Sequence, residues 1–379
     1  MYSRRLDLPQ LLKKKSFFLF GPRSTGKSTL IRAQLPQAKV YDLLDARVFA
    51  RLSRRPTLLE EESSAQTLVA IDEIQRAPHL LNEVHRLIAR DQRRFLLTGS
   101  SARKLKRGAT NLLAGRAWEA RLTALTHDEI HDFDLLRYLN IGGLPHVYPS
   151  PHPFEELDAY CALYLQEEIQ AEALTRNVPA FSRFLDVMAL QNGEELNCQS
   201  IASDCGVSPN TVTNYIEILE DTLIGYRLPG YTKTRKRKAT VRGKHYFFDL
   251  GVTHTLAHRG EVKAKSELFG RAFEHFIINE IRAHLLYARS KQPLCYWRST
   301  SQLEVDAVVG NALAVEIKAA ELVTDKHLKG LRALGEEGLV KHRVAVSLDP
   351  ESRRTSDGIE IVPWQTFLQR LDRNDWGTC

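Results

Sequence analysis

Cysteine is scarce and scattered. The five residues Cys161, Cys198, Cys205, Cys295 and Cys379 are odd in number and form no C-x-x-C pair. That pattern argues against a disulfide framework and a zinc site, and it fits a reducing, cytoplasmic compartment. Long apolar runs are missing too. None approaches the ~20 residues needed to span a membrane, and the basic N-terminal stretch has no secretory apolar core before Gly21-Pro22. No membrane partner is therefore expected. Acids are outnumbered, with 46 Asp and Glu against 53 Lys and Arg over 379 residues, a formal net charge of +7. This modest excess leans towards an anionic partner. A hydrophobic content of 43% is that of an ordinary globular chain, and the length allows two or three domains.

Against those absences one stretch stands out, Ser16-Phe-Phe-Leu-Phe-Gly21-Pro22-Arg23-Ser24-Thr25-Gly26-Lys27-Ser28-Thr29. Phe17 to Phe20 read as a buried strand, and Thr29 to Gln34 as a helix. The segment between fits G-x-x-x-x-G-K-[ST]. Gly21 and Gly26 let the backbone curl so that successive N–H groups face a phosphate, and the helix N-terminus adds partial positive charge. Lys27 would reach the β/γ-phosphates and Ser28 would ligate Mg²⁺. The expected ligand is therefore ATP with Mg²⁺.

Two later strands supply the rest of such a site. Thr67-Leu-Val-Ala-Ile-Asp72-Glu73 ends an apolar run in two acids, as a central parallel strand does when it delivers carboxylates at its C-terminal end. Asp72 would hold the Mg²⁺ water shell, and Glu73 would polarise the attacking water. Arg94-Phe-Leu-Leu-Thr98-Gly99-Ser100-Ser101 ends in hydroxyls, so Thr98 or Ser100 would sense the γ-phosphate or position that water. In Leu112-Leu-Ala-Gly115-Arg116 an arginine follows a glycine turn. It is either a surface ion-pair partner or an arginine finger reaching a neighbouring subunit's ATP. The second role would make the protein a homo-oligomer.

Together, Gly21-Pro-Arg-Ser-Thr-Gly-Lys-Ser-Thr-Leu30, Asp72-Glu-Ile-Gln-Arg76 with Pro78 and Leu81, Leu97-Thr-Gly-Ser-Ser101, Leu113-Ala-Gly-Arg116 and Gly142-Gly-Leu-Pro145 resemble a family of bacterial and archaeal AAA-type ATPases with a C-terminal domain of unknown function. The resemblance covers nearly the whole chain. It implies an α/β P-loop core over residues 1–135, with a helical lid or linker region over 136–192. Within the latter, Leu157, Tyr160, Cys161, Tyr164 and Leu165 recur at helical spacing, and residues 153–192 read as helical.

Residues 193–260 carry helix-turn-helix grammar. A short helix with Ile201 and Ala202 inward breaks at Gly206, and a second starts with Ser208 as N-cap and Pro209 at its first position. Asn210, Thr211, Thr213 and Asn214 would face outward, as short polar side chains suited to phosphates or base edges. Leu223–Leu228 and Lys244–Phe248 fit the hairpin of a winged helix. Between them lie Lys233, Arg235, Lys236, Arg237 and Lys238, and no acid occurs from Leu223 to Phe248. Either this is a DNA-binding wing, with DNA as the partner, or it is a solvated tip on a protein-docking module.

The last region, 261–379, opens on a strongly amphipathic helix, Leu268 to Ile281, followed by strands Leu303–Val309 and Ala312–Lys318. A connection with an odd number of residues would set Asp306 opposite Glu316. The spacing Asp-x₉-Glu-x-Lys resembles the PD-(D/E)xK nuclease core. In that core Asp306 and Glu316 would hold a metal, Lys318 would orient water, and Glu274 would add a further acid. The alternative is an ion pair of small worth in an edge hairpin. Three functions remain open. One is an ATP-driven switch or motor, one an ATP-licensed metal-dependent endonuclease, and one a nucleotide-dependent protein scaffold.

Overall fold

The computed structural model describes residues 2–101, 113, 115–165 and 177–379. The chain is α/β. Its N-terminal layer is a parallel sheet of β1 (Ser16–Phe20), β2 (Lys39–Asp42), β3 (Val69–Asp72), β4 (Phe95–Gly99) and β5 (Ala117–Arg121), in the order β2-β3-β4-β1-β5. Strands β1, β3 and β4 are buried along their whole length, which is why they read as unbroken apolar runs. Alternate residues of β1 still part to two faces. Phe18 and Phe20 join Ile71, Val84 and Leu97, whereas Phe17 and Leu19 join Leu12, Leu30 and Ile31. All five strands deliver their C-terminal ends to one edge. The loop leaving β1 therefore emerges beside the ends of β3 and β4.

The middle region is helical, but not as one run over 153–192. Helix Pro153–Ala159 passes into a π-helical turn, Tyr160–Leu165. Residues 166–176, and the side chains of Tyr164 and Leu165, lie outside the described residues. A separate helix, Val178–Leu190, restarts from the Asn177 cap with a proline in its first turn. Proline belongs at a helix start, not in its interior. Helix Cys198–Cys205 ends at Gly206, whose φ of 66° closes the turn. Helix Pro209–Asp221 begins where the Ser208 hydroxyl accepts the Thr211 N–H at 3.2 Å. The hairpin is β6 (Gly225–Leu228) against β7 (Lys244–Phe247).

The C-terminal sheet runs β12-β13-β11-β10-β9-β8, with β8 Leu294–Arg298, β9 Glu304–Val309, β10 Leu313–Lys318, β11 His342–Ser347, β12 Arg353–Arg354 and β13 Glu360–Pro363. Against it lies helix Glu267–Tyr287. Its expected amphipathicity is corrected, because side chains from Phe269 to Leu285 are buried on most of its surface. The helix is wedged between β5, β10 and the helices Leu135–Ile141, Leu250–Leu256 and Trp364–Asp372, and such a position demands apolar side chains nearly all round. One apolar core runs through this helix from Ala124 to Trp376. The middle and C-terminal regions thus share a single interior. No helix among the described residues is long and apolar enough to cross a membrane.

Helix Lys329–Gly335 presses so closely on β9 that a Cβ on Gly330 would collide with the Glu304 carbonyl oxygen. Alanine is the better helix former by about 1 kcal/mol, but overpacking costs about 1–3 kcal/mol. Gly330→Ala is therefore expected to lower the melting temperature in a calorimetric scan. A rise would show that the helix is free to move off the sheet.

Candidate functional site

The loop after β1 is shaped by two left-handed residues, Ser24 (φ 65°) and Gly26 (φ 91°). Gly21 is pressed against the exit of β5, and a Cβ there would meet the Leu122 carbonyl at 2.5 Å. Its N–H donates to the Gly99 carbonyl at 3.3 Å. Lys27 opens the helix Lys27–Gln34. Its buried ammonium donates to the carbonyls of Gly21 (2.8 Å) and Pro22 (3.1 Å), and the Thr25 hydroxyl also donates to Pro22, at 2.8 Å. From outside, Arg4 donates to the Thr25 carbonyl at 2.7 Å and the Tyr160 hydroxyl to that of Arg23 at 3.3 Å. Four donors thus engage the carbonyls of Gly21, Pro22, Arg23 and Thr25.

Beside it, the ends of β3 and β4 assemble a compact polar cluster. The two oxygens of the buried Asp72 carboxylate accept from the hydroxyls of Ser28 and Thr98. Thr98 Oγ1 in turn accepts the Glu73 N–H at 3.1 Å. Glu73 itself has φ 60°, an unusual conformation for a non-glycine residue and one that concentrates at functional sites. Gln75 donates to the Glu73 carboxylate and, at 3.1 Å, to Ser100 Oγ. The structure thus brings Lys27, Ser28, Asp72, Glu73, Thr98 and Ser100 to one corner of the sheet. Ser28 and Asp72 offer only oxygen, the donor type that Mg²⁺ takes. Arg116 is exposed at the turn before β5, after Gly115 (φ 74°), while Leu112 and Ala114 of that string lie outside the described residues.

A cavity of about 770 Å³ opens from this corner. Arg23, Ser24, Gly26, Lys27, Ser28, Thr29 and Glu73 line one part. Tyr2, Leu125, Pro145, His146 and Pro149 line another. Burial lowers the pKa of His146. The sequence did not signal Arg4, Gln75, Tyr160 or this Pro145–His146 wall. Gln75 could have been found from its place in Asp72-Glu-Ile-Gln75, but the other contacts join residues remote in the chain.

In the C-terminal region β9 pairs with β10 through Val309↔Leu313, Val308↔Ala314 and Ala307↔Val315. The intervening turn has three residues, and the same register sets Asp306 across from Glu316. The ion pair is not in an edge hairpin, because β9 and β10 are interior strands. Both carboxylates are buried. Lys318 Nζ lies 2.7 Å from Glu316 Oε1 and 3.4 Å from Asp306 Oδ2. Burial pushes both carboxyls up, and the neighbouring Asp306 charge pushes Glu316 further. Glu316 Oε2 is buried without a hydrogen-bond partner among the described residues. Glu274, on helix Glu267–Tyr287, accepts from the Tyr246 hydroxyl at 2.7 Å. A second ammonium, Lys244 of β7, sits 2.6 Å from Glu304 and 3.5 Å from Glu274. Burial pulls the Lys244 pKa down, but Glu274, Glu304 and Asp306 outweigh it and the net shift is upward.

On helix Pro209–Asp221, Asn210, Thr213 and Asn214 are exposed and Thr211 is half-buried. The Thr211 hydroxyl lies 2.9 Å from Ser208 Oγ, and Thr213 donates to the Pro209 carbonyl at 3.2 Å. The basic segment between β6 and β7 is not a solvated tip. It runs along the open side of β8, where Tyr231 N–H meets the Tyr296 carbonyl (2.7 Å) and Thr240 N–H the Arg298 carbonyl (2.8 Å). An edge strand with unpaired backbone groups favours such cover. The N–H groups of Arg235, Lys236 and Arg237 converge on the Glu337 carboxylate at 2.8–2.9 Å. Arg237 pairs with Glu336 at 2.5 Å, and Lys236 Nζ donates to the Glu336 carbonyl at 2.5 Å. The side chains of Lys233, Arg235 and Lys238 remain exposed.

Comparison with known families agrees with this architecture. Residues 13–131 match an AAA domain, residues 132–263 a domain of unknown function (DUF8612) and residues 269–367 a domain of unknown function (DUF4143). An uncharacterized protein of Mycobacterium tuberculosis is 27% identical over 310 residues, which is 79% of this chain and 69% of that protein. One of Haemophilus influenzae is 23% identical over 304 residues, covering 69% of this chain and 75% of that protein. Among solved structures, the Aeropyrum pernix ORC1 protein in complex with DNA overlaps 68% of this chain and 93% of its own, at 12% identity and a TM-score of 0.27. That overlap is too slight to carry an argument, so the assignment rests on the sequence families and on the sheet order of this chain. The chain carries an AAA-type P-loop domain followed, towards its C-terminal end, by a DUF4143 domain.

Proposed function

We propose that the protein is a Mg²⁺-dependent ATP hydrolase, a switch or motor whose nucleotide state is passed to its middle and C-terminal regions. The observation that carries this reading is the polar corner where Ser28, Asp72, Thr98, Glu73, Gln75 and Ser100 meet beside the phosphate-binding loop. Ser28 and Asp72 would hold Mg²⁺, which supplies charge neutralisation at the phosphates when bound. Lys27 binds the β/γ-phosphates. Glu73, held by Gln75, takes the proton from the attacking water. Thr98 and Ser100 orient the γ-phosphate end of the site.

Passage to the other regions is supported by Arg4. Its guanidinium touches the Thr25 and Thr123 carbonyls at 2.7 Å each and the Tyr287 hydroxyl at 3.3 Å, and pairs with Glu129 at 2.9 Å. One buried cation thus spans the phosphate loop and the central C-terminal helix. Under this reading Lys27→Ala abolishes phosphate release from ATP. Glu73→Gln keeps nucleotide binding and slows turnover on the order of 10²- to 10⁴-fold. Both are read in a phosphate-release assay alongside ATP titration. Undiminished turnover in Lys27→Ala would sink the assignment.

DNA contact is the partner reading we favour, through the exposed Asn210, Thr213 and Asn214 together with Lys233, Arg235 and Lys238. The specific support is the run of basic residues in a stretch, Leu223 to Phe248, that contains no acid of its own. Against a larger role for the basic segment, Lys236 and Arg237 are already engaged with the helix end at Glu336. Placing a negative charge on the face with Asn214→Glu is expected to weaken duplex DNA binding on the order of tenfold at low salt. Affinity of the unaltered protein is expected to fall steeply as salt rises. Fluorescence anisotropy measures both, and salt-insensitive or absent binding would favour the scaffold reading. The endonuclease reading has less support, because Lys318 and Lys244 already meet much of the carboxylate charge around Asp306 and Glu316.

A further inference from the structure

Two short strings far apart in the chain, Gly142-Gly143-Leu144-Pro145 and Asp249-Leu250-Gly251, are pressed against each other where the cavity meets the middle region. Gly142 has φ 71°, and a Cβ on it would collide with the Asp249 carboxylate. A Cβ on Gly251 would collide with the Ile141 carbonyl oxygen. Glycine is required at both places for the backbones to approach. Gly143 is then pinned from two sides. Its N–H donates to Asp249 Oδ2 at 2.7 Å, and its carbonyl accepts the Leu125 N–H at 2.8 Å. The Tyr138 hydroxyl closes the arrangement by donating to the Leu125 carbonyl at 2.6 Å. Asp249 Oδ1 meanwhile accepts the Val252 N–H at 3.1 Å and caps helix Leu250–Leu256.

Asp249 is 1% exposed, and among the described residues no ion pair reaches it. Burial raises its pKa to about 6. A carboxylate buried with backbone N–H groups and no cation is costly unless those bonds hold a needed geometry. The geometry it holds is that of the next residues. Pro145 and His146 leave the pinned glycines and, with Leu125, form the apolar and aromatic wall of the cavity. Pro145 begins this wall beside the P-loop, its Cγ 3.8 Å from where a Cβ on Gly26 would lie, and the apolar and aromatic surface suits a flat base better than a phosphate.

We propose that Asp249 is a positioning residue for the nucleoside end of the nucleotide, so that the middle region supplies the base-binding wall while the P-loop supplies the phosphate cradle. The proposal rests on the ATP reading and names the part of that site which depends on another region of the chain. It separates two contributions to affinity that share one cavity. Loss of Asp249 releases Gly143, and with it Pro145 and His146, but leaves Lys27 with its own contacts to the Gly21 and Pro22 carbonyls.

The test compares two probes on the full chain by calorimetric titration, Mg-ATP and Mg-tripolyphosphate, the latter having phosphates and no nucleoside. Asp249→Ala is expected to weaken Mg-ATP on the order of tenfold and to leave Mg-tripolyphosphate within about twofold. Asp249→Asn, whose amide oxygen still accepts an N–H, is expected to fall between. His146→Ala removes part of the wall without disturbing the pinned glycines, and should show the same selective loss even if Asp249→Ala does not fold. Equal loss for both probes, or no loss for ATP in both Asp249→Ala and His146→Ala, overturns the proposal. Unaltered protein that binds tripolyphosphate but gains nothing from the nucleoside also overturns it. Unaltered protein that binds neither probe overturns the ATP reading itself, and the proposal with it.

Discussion

The polar atoms of the P-loop backbone have to go somewhere, and that constraint organises the molecule around them. A loop can present its N–H groups to an anion only if its carbonyls turn away and find donors. Here the donors come from several places. Lys27 and Thr25 serve the near carbonyls, Arg4 serves that of Thr25, and Tyr160 serves that of Arg23. Two of these donors lie outside the β-loop-helix unit. The loop's shape therefore depends on an N-terminal arginine and on a tyrosine of the middle region.

The same dependence recurs at larger scale. Arg4 also holds Thr123 and Tyr287, and the Tyr287 hydroxyl lies 2.8 Å from Thr123 Oγ1. Helix Glu267–Tyr287 thereby meets the exit of β5 at one end while its body fills the interior shared by the middle and C-terminal regions. The P-loop and helix Glu267–Tyr287 are thus tied to one another through a single side chain, Arg4, that touches both.

Charge placement follows a related logic. The C-terminal region gathers Glu274, Glu304, Asp306 and Glu316 and answers them with Lys318 from its own sheet and Lys244 from the β6–β7 hairpin. In the opposite direction, Glu336 and Glu337 answer the basic segment beside β8. Charges that look like two separate functional surfaces in one dimension are partly each other's counter-charges in three.

That distinction marks the limit of what could be read from residues in order. The P-loop, the Asp72-Glu73 strand end, the hydroxyl-ended β4 and the Ser208-Pro209 helix start were legible because each is local, with periodicity, caps and glycines acting within a few residues. Even the facing of Asp306 and Glu316 reduced to turn length, since strand side chains alternate with a period of two. What lay out of reach was every feature joining distant segments. The all-round burial of helix Glu267–Tyr287 needed neighbours on each side, and the docking of Arg235–Arg237 needed Glu337. The wall built by Pro145 and His146 needed Asp249 to arrive some hundred residues later. The sequence by itself determined the local elements and the chemistry at their ends, because backbone geometry and side-chain propensity act over short range. Only the tertiary structure decided which of those ends share a cavity and which charges are already paired, because burial and Coulomb partners are set by proximity in space rather than along the chain.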